Sequence, residues 1–168
     1  MSQHFTSSPG YKLIPLRDHH ARDILTWRYP PPYDFYNPPR DDTGDRYVAA
    51  FLNPEFQFHA VVDQDGRMVG FCSFGIDGQV PGGDYDGSAM DIGLGMRPEL
   101  TGNGRGETFV RAILDHAVKA MAVGRVRMTV ADFNTRALRV YENLGFTAQA
   151  AFSDPLNGVP YTILTRNI

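Results

Sequence analysis

A single cysteine in 168 residues, Cys72, leaves no internal disulfide to build and suits a reducing compartment. Its apolar, strand-like surroundings point to a buried, inert thiol. Excess charge is equally scarce: 16 Lys and Arg against 19 Asp and Glu leave −3 at neutral pH. Without a basic excess there is no footprint for non-specific nucleic-acid binding, so no nucleic-acid partner is expected. No apolar run approaches the ~20 residues that span a bilayer. The opening MSQHFTSSPG lacks the basic stretch and apolar core of a secretory signal. The expectation is therefore a cytoplasmic protein with no membrane partner, flexible over residues 1–10. The histidines, His4, His19, His20, His59 and His116, form no recognisable ligand set, and no metal is expected. Two nucleotide motifs are missing as well, since neither the P-loop spacing nor the dinucleotide G-x-G-x-x-G occurs.

What is present is an ordinary globular composition, 42% hydrophobic and 21% charged, with no internal repeat and no linker. The length suits one domain over residues 1–168 with a sizeable core. The stretch around which the chain is organised is 90–121, MDIGLGMRPELTGNGRGETFVRAILDHAVKAM. Its first seven residues alternate Met90, Ile92, Leu94 and Met96 against Asp91, Gly93 and Gly95, which predicts a strand. Two glycines on one face predict a close approach to that strand's backbone. Residues 107–121 put Phe109, Ile113, Ala117, Ala120 and Met121 at helical spacing, with Val110 and Leu114 widening the stripe.

Between strand and helix lies TGNGRG, 101–106. Its glycines permit backbone angles at which successive N–H groups converge, and the helix start adds unpaired donors and the positive dipole end. Such a turn either holds an anion, with a diphosphate the natural guest, or simply reverses the chain.

Around this centre the sequence predicts a strand at 11–16, a helix capped by Asp18 and carrying Ala21, Ile24, Leu25 and Arg28, and a short helix over 42–52 with Tyr47, Ala50 and Phe51 on one side. Two strands over 56–63 and 67–76 join at a DQDG turn. A strand is predicted at 125–131, a helix at 135–144 capped by Asn134 and stopped at Gly145, and final strands over 146–152 and 161–166. Residues 27–39, WRYPPPYDFYNPP, hold five prolines and five aromatics and form a stiff loop. Its Tyr29, Tyr33 and Tyr36 either pack over the core or wall an acceptor pocket with ring face and hydroxyl. In the loop 77–88, Asp77, Asp84 and Asp86 either attract a cationic acceptor or are solvated turn residues.

The glycine turn fits the Q/R-x-x-G-x-G/A pattern of acyl-coenzyme A binders, with Gly104 and Gly106 as its glycines and Thr101 where Gln or Arg is usual. A second segment, NTRALRVYENLGF over 134–146, carries Asn134, Ala137, Tyr141, Glu142, Gly145 and Phe146 at the same family's spacing. On these residues the chain resembles the GCN5-related N-acetyltransferase (GNAT) superfamily, over about a third of its length with high specificity. The resemblance implies the α/β (α+β) acyl-CoA N-acyltransferase fold, a mixed sheet of six to seven strands with splayed central strands and about four flanking helices. It implies acetyl-CoA as co-substrate. Leu94, Gly95 and Met96 would bind the pantetheine arm, and the amides of Gly102, Asn103, Gly104, Arg105, Gly106 and Glu107 the pyrophosphate. Asn134 would lie near the arm and Tyr141 near the sulfur.

The implied activity is N-acetylation of a primary amine on a small molecule or peptide. Tyr141 is the candidate general acid, against the alternative of a core tyrosine. The position where some relatives carry a glutamate base is Thr129, which leaves Asp91 as substitute, either a base or an ion-paired strand residue. A homodimer is a family-level expectation. A non-catalytic acyl-CoA-binding or sensing domain is the alternative function, favoured by Thr101 and the missing glutamate and opposed by Tyr141.

Overall fold

A computed structural model describes residues 10–41 and 43–168. The expected flexibility of 1–10 falls almost wholly outside these residues, as does Asp42 at the start of the second predicted helix. Seven strands are described: β1 (Lys12–Pro15), β2 (His59–Val62), β3 (Met68–Phe74), β4 (Met90–Met96), β5 (Arg125–Ala131), β6 (Thr147–Ser153) and β7 (Pro160–Asn167). They form one sheet in the order β1-β2-β3-β4-β5-β7-β6. Every neighbouring pair is antiparallel except β4 and β5, which run parallel. A parallel pair needs a crossover, and the helix α3 (Gly106–Met121) supplies it.

Two cores lie on opposite faces of the sheet. On one, Phe109, Ile113 and Ala117 of α3 pack with Val61, Cys72, Phe74, Ile92, Val126 and Met128. The helix α4 (Thr135–Asn143) closes this core with Tyr141, joined by Leu144 and Phe146. On the other face, α1 (Asp18–Ile24) and α2 (Gly44–Leu52) cover Ala60, Val62 and Met68 with Ala21, Ile24, Trp27 and Val48. Cys72 is fully buried and burial pushes its thiol pKa up, as expected of an inert core residue.

Two local expectations are corrected. The residue ahead of α1 is Arg17, whose N–H donates to His20 Nδ1, so Asp18 is the helix's first residue rather than its cap. In α2 the buried residue is Val48, while Tyr47 and Ala50 face solvent. Phe51 still packs inward, its ring edge-on to Phe58 and Phe71.

Of the seven residues in β4, only Met90 and Asp91 have partners on β5, namely Val126 and Arg127. Beyond them β4 stays paired to β3 through Met96, and β5 to β7 through Ala131. The sheet therefore opens into a wedge directly after Asp91. The residues that open it are those the sequence singles out.

Candidate active site

The free edge of β4 along the wedge consists of Ile92, Gly93, Leu94, Gly95 and Met96. The close approach predicted by its glycines is real, but it comes from within the protein. A Cβ on Gly93 would lie 2.6 Å from Ser73 Oγ, and one on Gly95 2.6 Å from the Phe71 ring. At the wide end, the Tyr29 hydroxyl donates to the Met96 carbonyl at 2.6 Å. Tyr29 thus ties the proline-rich loop to β4, and burial pushes its pKa up. Its hydroxyl is engaged with the strand rather than presented to an acceptor.

The glycine turn follows β4. Thr101 closes a preceding 3-10 turn by donating its hydroxyl to the Pro98 carbonyl at 2.7 Å. Gly102 and Gly104 have φ of +76° and +74°, a region open to glycine and costly for most other residues. Nothing lies within 4 Å of a Cβ built on Gly104, so the space that a side chain would enter there is open. Arg105 precedes α3 without a side-chain cap, which leaves the first-turn donors exposed. Gly106 lets the turn close on α4, since a Cβ there would meet Val140 at 3.0 Å. The Glu107 carboxylate turns away, accepting from Asn143 at 3.0 Å, so only its backbone amide belongs to the turn.

Across the wedge stands the start of α4. The Asn134 side chain caps the helix, accepting from the Ala137 amide at 3.2 Å, and its amide nitrogen donates to the Tyr36 hydroxyl at 3.3 Å. Tyr141 is 5% exposed and packs on the Phe146 ring. Burial pushes its pKa up, with nearby Tyr36 adding to the rise, so the phenol keeps its proton through the neutral range. Tyr36, Asn134 and Tyr141 are thus brought together from two distant segments. Tyr33 is drawn in differently: the Arg136 guanidinium lies 3.9 Å over its ring. The same guanidinium lies 3.1 Å from a Cβ built on Gly102, beside the glycine turn.

Of its two sequence readings, Asp91 takes that of an ion-paired strand residue. It is 4% exposed and accepts two hydrogen bonds from Arg127, at 2.6 and 2.8 Å, and a third from Gln79 at 3.0 Å. Both carboxylate oxygens are thus engaged by Arg127. Arg127 in turn reaches Asp86 at 3.2 Å and lies over the Tyr85 ring. The loop 77–89 is thereby fastened over β5, with Tyr85 bonded to Thr129 at 2.8 Å. Asp86 is therefore an anchoring residue as well as a turn residue.

Sequence reasoning missed Phe133, whose ring receives Tyr33, Phe35 and Tyr36 at 5.5–6.4 Å between centroids. It also missed Arg136, Tyr85 and the pairing of Ser73 with Asp77. Only Phe133 and Arg136 carried a signal, by flanking Asn134. Among the described residues no group of three or more His, Cys, Asp or Glu is placed to hold a metal, and no helix is long and apolar enough to cross a membrane.

Known proteins share this architecture. An acetyltransferase of the GNAT family from Bacillus anthracis superposes with a TM-score of 0.71 over 94% of this chain and 95% of its own, at 15% identity. A chimeric spermidine N-acetyltransferase from Vibrio cholerae gives 0.71 over 95% and 96% at 18% identity. At these identities the likeness is one of fold. A mycothiol acetyltransferase from Thermobispora bispora is 32% identical over 107 residues, which are 64% of this chain and 35% of that protein. The match thus spans about a third of that relative's length. The model of the acetyltransferase (GNAT) family matches residues 20–146. Carrying the wedge, the glycine turn and this match over most of its length, the chain belongs to the acetyltransferase (GNAT) family.

Proposed function

We propose that the protein is an acetyl-CoA-dependent N-acetyltransferase that acetylates a primary amine of a small molecule or peptide by direct attack in a ternary complex. The observation that carries this reading is the parting of β4 from β5 immediately ahead of an open glycine turn. Bound acetyl-CoA supplies the acyl group as an activated thioester. This chain's residues suit it: the turn Gly102–Glu107, with positive φ at Gly102 and Gly104, and the nearby Arg136 cation match a diphosphate, and the free edge of Leu94, Gly95 and Met96 matches an amide-bearing arm.

Backbone N–H groups on that edge polarise the reacting carbonyl, and holding both reactants in the wedge supplies the proximity term. Tyr141 donates the proton that the departing sulfur needs. Tyr36 and Asn134 hold that end of the wedge, and Tyr33 and Phe133 wall the acceptor side. The relatives named for mycothiol and spermidine acetylation support small amines as the class to try first.

The test is thiol release from acetyl-CoA in the presence of spermidine, an amino sugar and a peptide with a free α-amine. Replacing Tyr141 with Phe is expected to lower kcat about 10²-fold while leaving the affinity for acetyl-CoA unchanged. An unchanged kcat in that variant removes Tyr141 from the acid role.

A further inference from the structure

We infer that Asp77 is the catalytic base of this enzyme, the group that takes the proton from the acceptor's ammonium at the apex of the β4–β5 wedge. The inference rests on the acetyltransferase reading above and assigns the base role to a carboxylate other than Asp91, whose two oxygens are engaged by Arg127. The last β4–β5 pair is Asp91 with Arg127. Two residues further, on the same face of β4, is Gly93, the first position of that face inside the wedge. A Cβ there would lie 3.5 Å from Asp77 Oδ2. Gly93 thus marks the space that the Ser73–Asp77 pair occupies, and the carboxylate lies beside the point where the strands part.

The seat is well defined. Asp77 belongs to a 3-10 turn at Ile76–Gly78 that presses on β4 so closely that a Cβ on Gly78 would meet the Ile92 carbonyl carbon at 3.0 Å. The turn is fastened ahead of Asp77 by the Gly75 amide, which donates to the Asp91 carbonyl at 2.8 Å. Ser73, fully buried, donates its hydroxyl to Asp77 Oδ2 at 3.0 Å. Among the described residues no cation pairs with this carboxylate; Arg127 on β5 is taken up by Asp91 on β4 and by Asp86. Asp77 as a residue is open to solvent, so a proton taken at its free oxygen can pass on to water. Desolvation of the carboxylate raises its pKa, against the opposing bond from Ser73, which brings it nearer the range useful to a general base.

The chemistry balances without a further reactant. An aliphatic amine enters as an ammonium and loses one proton to Asp77, which releases it to solvent. The freed lone pair forms the nitrogen–carbon bond at the acetyl carbonyl as the carbon–sulfur bond breaks. The nitrogen's second proton makes good the one that Tyr141 gives to the sulfur. The products are the amide, the free thiol and one proton in solution.

The experiment follows thiol release from acetyl-CoA against pH, with spermidine and glycylglycine as amines, for the wild type, Asp77→Asn and Ser73→Ala. At pH 7, Asp77→Asn is expected to lose about 10²-fold in kcat at unchanged affinity for acetyl-CoA. Its rate should recover as pH rises and the amine loses its own proton, whereas misplacement would depress the rate at every pH. Ser73→Ala, which removes the bond that opposes the rise, should move the acid limb of the profile upward. A wild-type rate and profile in Asp77→Asn would overturn the assignment of Asp77 alone. Wild-type protein that acetylates neither amine would contradict the acetyltransferase reading and the inference together.

Discussion

Asp91 and Arg127 sit beneath the junction of β4 and β5, with side chains 4% and 6% exposed and two short bonds between them. At this burial the pair is stable only as a pair, because either charge left alone keeps its desolvation cost without its partner. Asp91→Asn should therefore cost about 3–5 kcal/mol, read in urea as a lower midpoint. A loss below ~1 kcal/mol would place the pair in the class of surface bridges and weaken its role as the wedge's rivet. The sequence put Asp91 on the correct strand face but could not reveal its partner, because Arg127 lies 36 residues away. Separation in sequence likewise hid the approach of Asp77 to Gly93. Tyr141 and Asn134 were legible because a local spacing on one helix defines them, while the contact of Asn134 with Tyr36 spans 98 residues and needed the fold.

At the scale of elements, β4 and β5 match the sequence reading at both ends, and α3 begins one residue earlier. Their periodicities are unambiguous because each buries one clear face. The helix α2 was misread in rotation: its inward side is set by α1 and by the Phe51–Phe58–Phe71 contacts, which local spacing does not encode. The glycine turn lends itself to a direct test. Gly104 has φ of +74° and open space before it, so Gly104→Val strains the backbone and fills the cradle at once. The strain should cost about 1–2 kcal/mol of stability. Acetyl-CoA affinity in the folded variant should fall at least ~10-fold, about the value of one or two lost charge-assisted hydrogen bonds. Unchanged affinity would mean that the turn only reverses the chain.

Across the whole molecule, two half-sheets, β1-β2-β3-β4 and β5-β7-β6, meet at two residue pairs and are bridged by α3 on one face and by the loop 77–89 on the other. That design leaves a cleft inside a sheet, where backbone groups on an open edge are available to a guest. The fold class was legible in the sequence through the family resemblance of the segments 101–106 and 134–146, and the strand, turn and helix signals along 90–146 agreed with it. The ring cluster of Tyr33, Phe35, Tyr36 and Phe133 was less legible, because its side chains come from segments far apart in sequence and meet only in three dimensions. The most direct test of the account is calorimetric titration of the purified protein with acetyl-CoA. One-to-one binding, with a Kd inside the ~1 μM–1 mM span typical of enzyme substrates, is the predicted result. No detectable heat, with the protein shown to be folded, would contradict the claim that the wedge is an acetyl-CoA site.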